Sequence, residues 1–351
     1  MARSALKEPR MQSSAVVVVG VSAGGMDALT RLAAQLPEGF PAPVFVVQHM
    51  PADTMGNALV GAIAKHGNLP CTHARDGEQF VRGHIYLAPS DHHMMIGRGR
   101  ILVTKGAHEN RSRPAIDPLF RSAAVAYGNR VIGVLLTGYL DDGTAGMTAI
   151  KRCGGTCVVQ DPRDAAYPDM PQNAINQVDV DYCLPIAEMG TLFTKLVHRK
   201  FGKRKPVPKD IALEAKIAER VLSDLRSVET LGEQVPFNCP GCGGVLWKID
   251  NGKSLRYRCH TGHAYTAPVL LAEQTAKIQE TLWVALRMLE ERRNLLVTMG
   301  TSHNGKSNHS AAERAKRSEV HIERIRAMLR SGDKTTNDDV HDSVASGESR
   351  G

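Results

Sequence analysis

Residues 15–28 read AVVVVGVSAGGMDA, and the fold of the chain turns on how this stretch is read. Val16 to Val19 form a short unbroken run of β-branched side chains, which suits a strand buried on both faces of a parallel sheet. Gly20, Gly24 and Gly25 impose a tight turn, after which Met26, Leu29, Leu32 and Ala33 recur at helical spacing. The chain therefore runs strand, sharp turn, helix, with Ser22 at the apex. Gly20-Val21-Ser22-Ala23-Gly24 fits the nucleophile-elbow pattern G-x-S-x-G, whose small neighbours make room for a strained serine. The helix N-terminus behind it offers backbone N–H groups and a positive dipole end to an oxyanion. A glycine turn of this kind also cradles phosphates, but G-x-G-x-x-G is not met, because Ser22 stands at its second glycine position. On this stretch alone a hydrolase, a phosphate site and a plain structural turn all remain open.

Outward from it, strands and helices alternate. Pro41 to Gln48 gives a second apolar strand that closes on His49, followed by a helix over Ala52 to Lys65. Pro70–Arg75, His84–Ala88, His92–Ile96 and Arg100–Thr104 read as short strands with hairpin connections. A helix over Asp117–Tyr127 precedes a third core strand, Arg130–Thr137, which ends in Gly138-Tyr139-Leu140-Asp141-Asp142-Gly143. Helix Thr144–Arg152, strand Gly155–Gln160, a strand at Val180–Leu184 and helix Ile186–Phe201 continue the pattern. The expected class is α/β: a mainly parallel sheet with helices on both faces, followed by a small zinc ribbon and C-terminal helices.

Composition bounds the rest. At 351 residues the chain has room for about two domains, and 42% hydrophobic with 23% charged residues is a soluble globular composition. No apolar run approaches the ~18 residues of a membrane span, and residues 1–14 lack the apolar segment of a signal peptide, so a cytoplasmic location is expected. The net charge of +8 raises the question of an acidic partner. Much of the excess lies in the run His198 to Lys205 and in the distal helices, which reads as a solvated linker rather than a nucleic-acid surface. The domain reading is a disordered N-terminus over 1–14, a catalytic domain over 15–200, a basic linker and helix over 201–235, a zinc-ribbon-like module over 236–266, a helical extension over 267–331 and a disordered tail over 332–351.

Seven cysteines divide into two groups. Cys71, Cys153, Cys157 and Cys183 are scattered in apolar surroundings and read as buried thiols in a reducing compartment. Cys239-Pro240-Gly241-Cys242 is instead a knuckle, and Cys259-His260-Thr261-Gly262-His263 follows it. The spacing C-x2-C, x16, C-x3-H suits a closed, structural tetrahedral zinc site of Cys239, Cys242, Cys259 and His263 on a hairpin through Val245 to Arg258. His260 is the alternative fourth ligand, disfavoured by its adjacency to Cys259. Trp247 and Tyr257 read as the small core of the module rather than a base-stacking platform. The helices behind it, with Leu271, Ile278, Leu282, Ala285, Leu286 and Leu289 on one face, suit a protein partner or self-association better than DNA.

A serine hydrolase needs a base to take the serine proton, an acid to orient that base, and donors for the oxyanion. Three apolar strands each end in one candidate: Ser22, His49 and the Asp141-Asp142 pair. Open α/β sheets bind ligands at that end. Which of the two aspartates serves is left open by the pattern.

Further motifs follow in order: Val47-Gln48-His49-Met50-Pro51, Ile85-Tyr86-Leu87-Ala88-Pro89 with His93-Met94, Ser112-Arg113-Pro114-Ala115-Ile116-Asp117, Leu136-Thr137-Gly138 with Asp142-Gly143-Thr144-Ala145-Gly146-Met147, and Met170-Pro171-Gln172-Asn173-Ala174-Ile175. With Gly20 to Gly25 they make residues 15 to about 200 resemble the catalytic domain of the chemotaxis protein-glutamate methylesterases, the CheB family. The resemblance implies Ser22 as nucleophile, His49 as general base and Asp142 as orienting acid. The substrate it implies is a glutamate γ-methyl ester on a methylated chemoreceptor, released as methanol, with glutamine deamidation as the same acyl transfer and no cofactor for catalysis. Ala23 is the physical candidate for an oxyanion N–H. Tyr139 stands where the family usually has a methionine lining the site, so the pocket wall differs. Arg113 either grips substrate or pairs with Asp117 at a helix start, and His92 and His93 read as structural. The family's usual N-terminal receiver domain has no counterpart before residue 15, so control is expected to come from elsewhere. Two other readings stand beside this one: an esterase or deamidase acting on another protein, and a signalling scaffold with a vestigial hydrolase domain.

Overall fold

The computed structural model describes residues 15–51, 57–97, 99–220, 228–250, 255–300 and 309–331. The expected disordered ends 1–14 and 332–351, the first residues of the helix from Ala52, part of the helix expected within 201–235 and the hairpin tip at 251–254 lie outside them.

The core is a seven-stranded parallel sheet in the order β3-β4-β2-β1-β7-β8-β9. Its strands are β1 (Val16–Val21), β2 (Val44–Gln48), β3 (Cys71–His73), β4 (Ile85–Leu87), β7 (Val131–Leu135), β8 (Thr156–Gln160) and β9 (Tyr182–Leu184). β1 lies at the centre, Val18 pairing with Phe45 of β2 and with Gly133 of β7. Its valines alternate between two cores, as period-two side chains must. Val16 and Val18 join Ile116, Leu119 and Phe120 of α3 (Ile116–Tyr127), Met147 and Ile150 of α4 (Thr144–Arg152) and Met170 of α5 (Asp169–Gln177). Val17, Val19 and Val21 join α1 (Gly25–Ala33), α2 (Asn57–His66) and α6 (Ile186–Val197). At about 1.5–3 kcal/mol for each large apolar side chain buried, this two-sided core dominates the stability of the sheet.

Of the four short strands expected to form hairpins, only β5 (His93–Gly97) and β6 (Arg100–Thr104) pair antiparallel. β3 and β4 pair with one another in parallel and extend the main sheet. Cys71 of β3 and Ile85 and Leu87 of β4 face the α1–α2–α6 core, and that burial recruits both strands to the sheet rather than to a local hairpin.

Beyond the catalytic fold, residues 199–205 do not float free. Arg199 donates to the Asn129 carbonyl and Arg204 to that of Val125, so the basic run, largely exposed, is tied to the end of α3 and the turn that follows it. α7 (Lys209–Arg220) packs on α3 and buries Ile211 in the main core. The cysteine-bearing sheet is larger than a hairpin: β10 (Glu233–Asn238), β11 (Val245–Asp250), β12 (Leu255–Cys259) and β13 (Ala264–Thr266) form four antiparallel strands. Trp247 packs there with Ile217 of α7, Val228, Leu231 and Ile249. One compact unit runs to Val269 and a second begins at Leu270.

α8 (Ala267–Gly300), which from Leu270 belongs to the second unit, and α9 (His309–Arg330) are joined by Arg293–Glu319 at 2.7 Å and Arg326–Glu290 at 2.6 Å, over a small core of Leu296, Ala311 and Ala315. The apolar stripe expected on α8 is only partly buried: Leu286 is covered, whereas Leu271 and Ile278 are exposed. Two helices alone bury too narrow a stripe to cover both.

Candidate active site

Ser22 follows the last residue of β1, and Gly24, at φ 76°, takes the left-handed conformation that starts α1. The turn is strained at that glycine rather than at the serine, contrary to the elbow expectation, because a residue free of Cβ is already there to absorb it. Three neighbours fix the serine. Its N–H donates to the Thr137 carbonyl at the end of β7 at 3.0 Å, the Thr137 hydroxyl donates to the Ala23 carbonyl, and the Gln48 amide donates to the Ser22 carbonyl at 2.7 Å.

β2 ends at Gln48, so His49 stands at the same sheet edge, and its N–H donates to the Val21 carbonyl. The Ser22 hydroxyl lies 3.1 Å from His49 Nδ1, and His49 Nε2 lies 2.7 Å from Asp142 Oδ2. With Nε2–H donated to the carboxylate, Nδ1 keeps a lone pair for the serine proton, which is the tautomer a general base needs. The pair left open by sequence is resolved by position: Asp142 faces His49, while Asp141 turns the other way and accepts from the Thr266 hydroxyl at 2.9 Å.

Asp142 is buried and richly supplied with donors. Oδ2 also accepts from Ile116 N at 2.7 Å, and Oδ1 accepts from Asn110 Nδ2 and Gly143 N at 3.0 Å each. Ile116 opens α3, whose own N-cap, Ala115, has no side chain to serve it, so Asp142 caps that helix from a distant loop. The reciprocal holds for α4: Asp117 of α3 accepts from Gly143 N at 3.1 Å and Gly146 N at 2.6 Å. The loop leading into α4 thus lends a carboxylate to the N-terminus of α3, and α3 lends one to that of α4. Burial alone would raise Asp142, but His49, the Ile116 amide and Asn110 hold it below the usual carboxylate range, hence ionised. Burial and the charge of Asp142 push Asp117 the other way, up to about 7.

The rim is formed by the loop after β7. Gly138 lies so close that an added Cβ would stand 2.7 Å from Ser22 Cβ. Its carbonyl accepts from Met170 N, and Asn173 donates to the Leu140 carbonyl, so the start of α5 pins this loop. Tyr139 is exposed, its ring 4.6 Å from that of Tyr167. The Ala23 N–H has no acceptor among the described residues and follows directly on the nucleophile, where an oxyanion donor belongs.

Arg113 is engaged elsewhere: Nε and Nη2 donate to Asp91 Oδ1 at 2.7 and 2.5 Å, and Nη1 to the Gly106 carbonyl. It does not pair with Asp117, whose carboxylate caps α4 and contacts Arg121 instead. His93 is buried, with Nε2–H donating to the Ala107 carbonyl and Nδ1 accepting from Ala115 N; burial lowers its pKa and keeps it neutral. His92 sits 3.0 Å from the Ser90 carbonyl. Both are structural in geometry.

Asn110 and Thr266 were invisible from the pattern. Asn110 sits with Arg111 at the centre of a tight turn, at φ 49° and 67°, closed by Glu109 and Ser112. An asparagine tolerates that conformation, and this is the only local signal the sequence carries. Around them the cysteine-bearing sheet meets the catalytic fold. Glu109 pairs with Arg121 at 2.5 Å and Arg258 at 2.9 Å, all three buried, and the buried Glu214 of α7 pairs with the half-buried Arg256 at 2.7 Å. In that sheet the ligand atoms of Cys239, Cys242, Cys259 and His263 all lie within 4.8 Å of one another. Cys242 Sγ is 3.7 Å from Cys259 Sγ, which is 3.5 Å from His263 Nδ1. Tetrahedral zinc with Zn–S near 2.3 Å requires S···S of about 3.8 Å, so these donors could hold such an ion. His260 is not among the gathered donors; it packs on Gly244.

Comparison with known proteins agrees with this fold. The chain is 40% identical over 174 residues to the protein-glutamate methylesterase/protein-glutamine glutaminase 2 of Anaeromyxobacter dehalogenans, covering 50% of this chain and 51% of that one. A relative in Leptospira interrogans, 36% identical over 189 residues, is matched over 97% of its length and 54% of this chain. Among solved structures, the catalytic domain of the Thermotoga maritima CheB methylesterase superposes with a TM-score of 0.51 at 34% identity, covering 53% of this chain and 100% of that one. The family model described as CheB methylesterase matches residues 17–193, half of the sequence, and the chain belongs to that family.

Proposed function

We propose that the protein hydrolyses glutamate γ-methyl esters on chemoreceptors to glutamate and methanol, through Ser22 as nucleophile, His49 as general base and Asp142 as the acid that orients it. The relay Ser22 Oγ to His49 Nδ1 at 3.1 Å and His49 Nε2 to Asp142 Oδ2 at 2.7 Å carries this reading. Ser22 attacks the γ-carbonyl, and His49 takes its proton and returns it to the departing methoxide. Water, deprotonated by His49, then cleaves the acyl-enzyme. A glutamine side chain enters the same cycle with ammonia leaving. The Ala23 N–H supplies one oxyanion donor, and Tyr139 shapes the wall beside it. Arg113, held by Asp91 and Gly106, shapes the cleft through its loop.

Cys239, Cys242, Cys259 and His263 bind one structural zinc in this reading, and catalysis itself uses no cofactor. Elemental analysis tests the former: one zinc per chain, lost in Cys239→Ser. The exposed Leu271, Ile278 and Met288 of α8 support a protein partner or a second copy there. None of the described helices is long and apolar enough to cross a membrane, and a cytoplasmic site of action at the receptor's inner face is the matching location.

The deciding measurement is methanol release from methylated chemoreceptor membranes by the full chain and by Ser22→Ala. Release by the first alone is the expected result. Equal release by both refutes the nucleophile. No release by either, with Ser22 still reactive toward an activated ester, moves the activity to another ester or amide.

A further inference from the structure

The cysteine-bearing sheet is in hydrogen-bond contact with the machinery that holds the catalytic acid. β13 is three residues long and begins immediately after His263, one of the four gathered metal ligands. Its first residue accepts through the Ala264 carbonyl from Asn110 N at 2.9 Å. Its last, Thr266, is 1% exposed and makes three bonds. Thr266 N donates to Asn110 Oδ1 at 3.2 Å, its hydroxyl donates to Asp141 Oδ1 at 2.9 Å, and the same hydroxyl accepts from Val269 N in the first turn of α8.

The consequence lies in the Asn110 amide. A carboxamide presents an oxygen on one side and an NH₂ on the other. Because Thr266 N–H occupies the oxygen, the NH₂ must point to Asp142 Oδ1 at 3.0 Å and Asp117 Oδ2 at 3.1 Å. Turned over, the amide would set an oxygen against two carboxylates and an N–H against an N–H. The second anchor, Thr266 to Asp141, fixes the residue directly before Asp142 in the chain. The first anchor reaches Asp142 through Oδ1, the oxygen His49 does not use, and the second holds the residue before it. Such outer partners of a catalytic carboxylate govern its orientation, and their removal costs rate more than binding.

We propose that Thr266 and Asn110 are positioning residues for the catalytic acid, and that a metal ion held by Cys239, Cys242, Cys259 and His263 keeps Thr266 in place, so that catalytic rate depends on an ion remote from the nucleophile. A small four-stranded sheet owes much of its order to such an ion, and β13 starts at one of its ligands. The inference builds on the triad of the proposed function. It does not require that the substrate be a chemoreceptor.

The test uses the full chain with two readouts: kcat and KM on a methylated receptor, and the rate at which a fluorophosphonate labels Ser22, where the serine oxygen displaces fluoride and His49 takes the proton. Labelling needs the triad but not the physiological substrate. Thr266→Val keeps the branched shape and removes the hydroxyl. Expected are a roughly tenfold fall in kcat and in labelling rate, the size of one lost hydrogen bond at the residue that carries the acid, with KM within about twofold and zinc content unchanged. Thr266→Ser restores both rates. Stripping the metal with a chelator gives the same fall, zinc ions alone reverse it, and in the stripped protein Thr266→Val loses nothing more. Wild-type labelling by Thr266→Val overturns the positioning role, and full labelling by the metal-free protein overturns the link to the ion. If Thr266→Val fails to fold, Asp141→Ala removes the acceptor of that hydroxyl without touching the module or the helix cap; the same fall supports the proposal and an unchanged rate overturns it. Labelling that responds as expected in a protein releasing no methanol leaves this inference standing and refutes the proposed substrate.

Discussion

Glu109→Gln is the perturbation whose size the structure fixes most directly. Glu109 is fully buried between two guanidinium groups, Arg121 Nη2 at 2.5 Å from the catalytic fold and Arg258 Nη2 at 2.9 Å from the cysteine-bearing sheet. Burial alone would raise its carboxyl, yet the two arginines more than reverse this and hold it at about 2 instead of the ordinary 4.5. A displacement of that size corresponds to about 3 kcal/mol of stability at neutral pH. The sign follows from linkage: a folded-state value below the unfolded one means the contribution is present above 4.5 and is lost as pH falls toward 2. The amide keeps the shape but leaves two buried guanidiniums short of a counter-charge, a change that costs about 3–5 kcal/mol when one partner of a buried pair is removed. Against a total of about 5–15 kcal/mol, that is a large fraction. Urea unfolding followed by the fluorescence of buried Trp247 reports it. At pH 7 the variant should lose about 3 kcal/mol, and the gap from wild type should narrow steadily between pH 4.5 and pH 3. A loss under about 1 kcal/mol, the range of an exposed pair, or a gap that does not change with pH, refutes the account of this network.

Asp142→Asn should lower kcat by about 10⁴, because the amide presents the wrong hydrogen-bonding face to His49, while Asp141→Asn, which keeps an oxygen for Thr266, should stay within about tenfold of wild type; the reverse ranking in an ester-hydrolysis assay sinks the assignment of the acid. Gly138→Ala places a Cβ 2.7 Å from Ser22 Cβ and 2.8 Å from Met170 Cε, so the serine must shift, and a displacement near 1 Å costs about 10²-fold in rate. Circular dichroism should be unchanged in that variant, and a wild-type rate would mean the loop yields instead of the nucleophile.

The parallel sheet could be read from sequence because its strands are buried on both faces and so appear as unbroken apolar runs: Val16 to Val19 and Val131 to Leu135 need no partner to be recognised. β3 and β4 could not be placed that way. Three residues each carry too little pattern, and pairing is decided by which core their side chains reach. Ser22, His49 and Asp142 were legible because topology alone brings parallel strand ends to one edge. The elbow pattern pointed to Ser22, which the structure sets beside His49, while misplacing the strain, which φ at Gly24 shows to lie two residues later. Asn110 and Thr266 were not legible, since one joins the acid across 32 residues and the other reaches Asp141 across 125, and neither residue type is unusual in a loop. The helix expected within 201–235 is present as α7, but its polar composition hides the buried Ile211 and Glu214, which only the tertiary contact reveals.

Asp142, the acid of the proposed triad, is held from three directions, and the three do different things. His49 is the partner in chemistry. The opening turn of α3 supplies backbone N–H groups and the positive end of a helix, and that supply keeps a buried carboxylate charged at neutral pH. Asn110 donates only one further bond, and Gly143 and Ile116 would still solvate the charge without it. Its contribution is therefore orientation rather than ionisation. This separates two kinds of damage that a single activity measurement would merge. Losing a helix amide shifts the pH at which the enzyme works, whereas losing Asn110, or the strand that turns its amide toward Asp142, lowers the rate at every pH without moving the profile. On the proposed reading the cysteine-bearing sheet bears only on the second of these, through Thr266, and would modulate catalysis without being needed to make a charged acid.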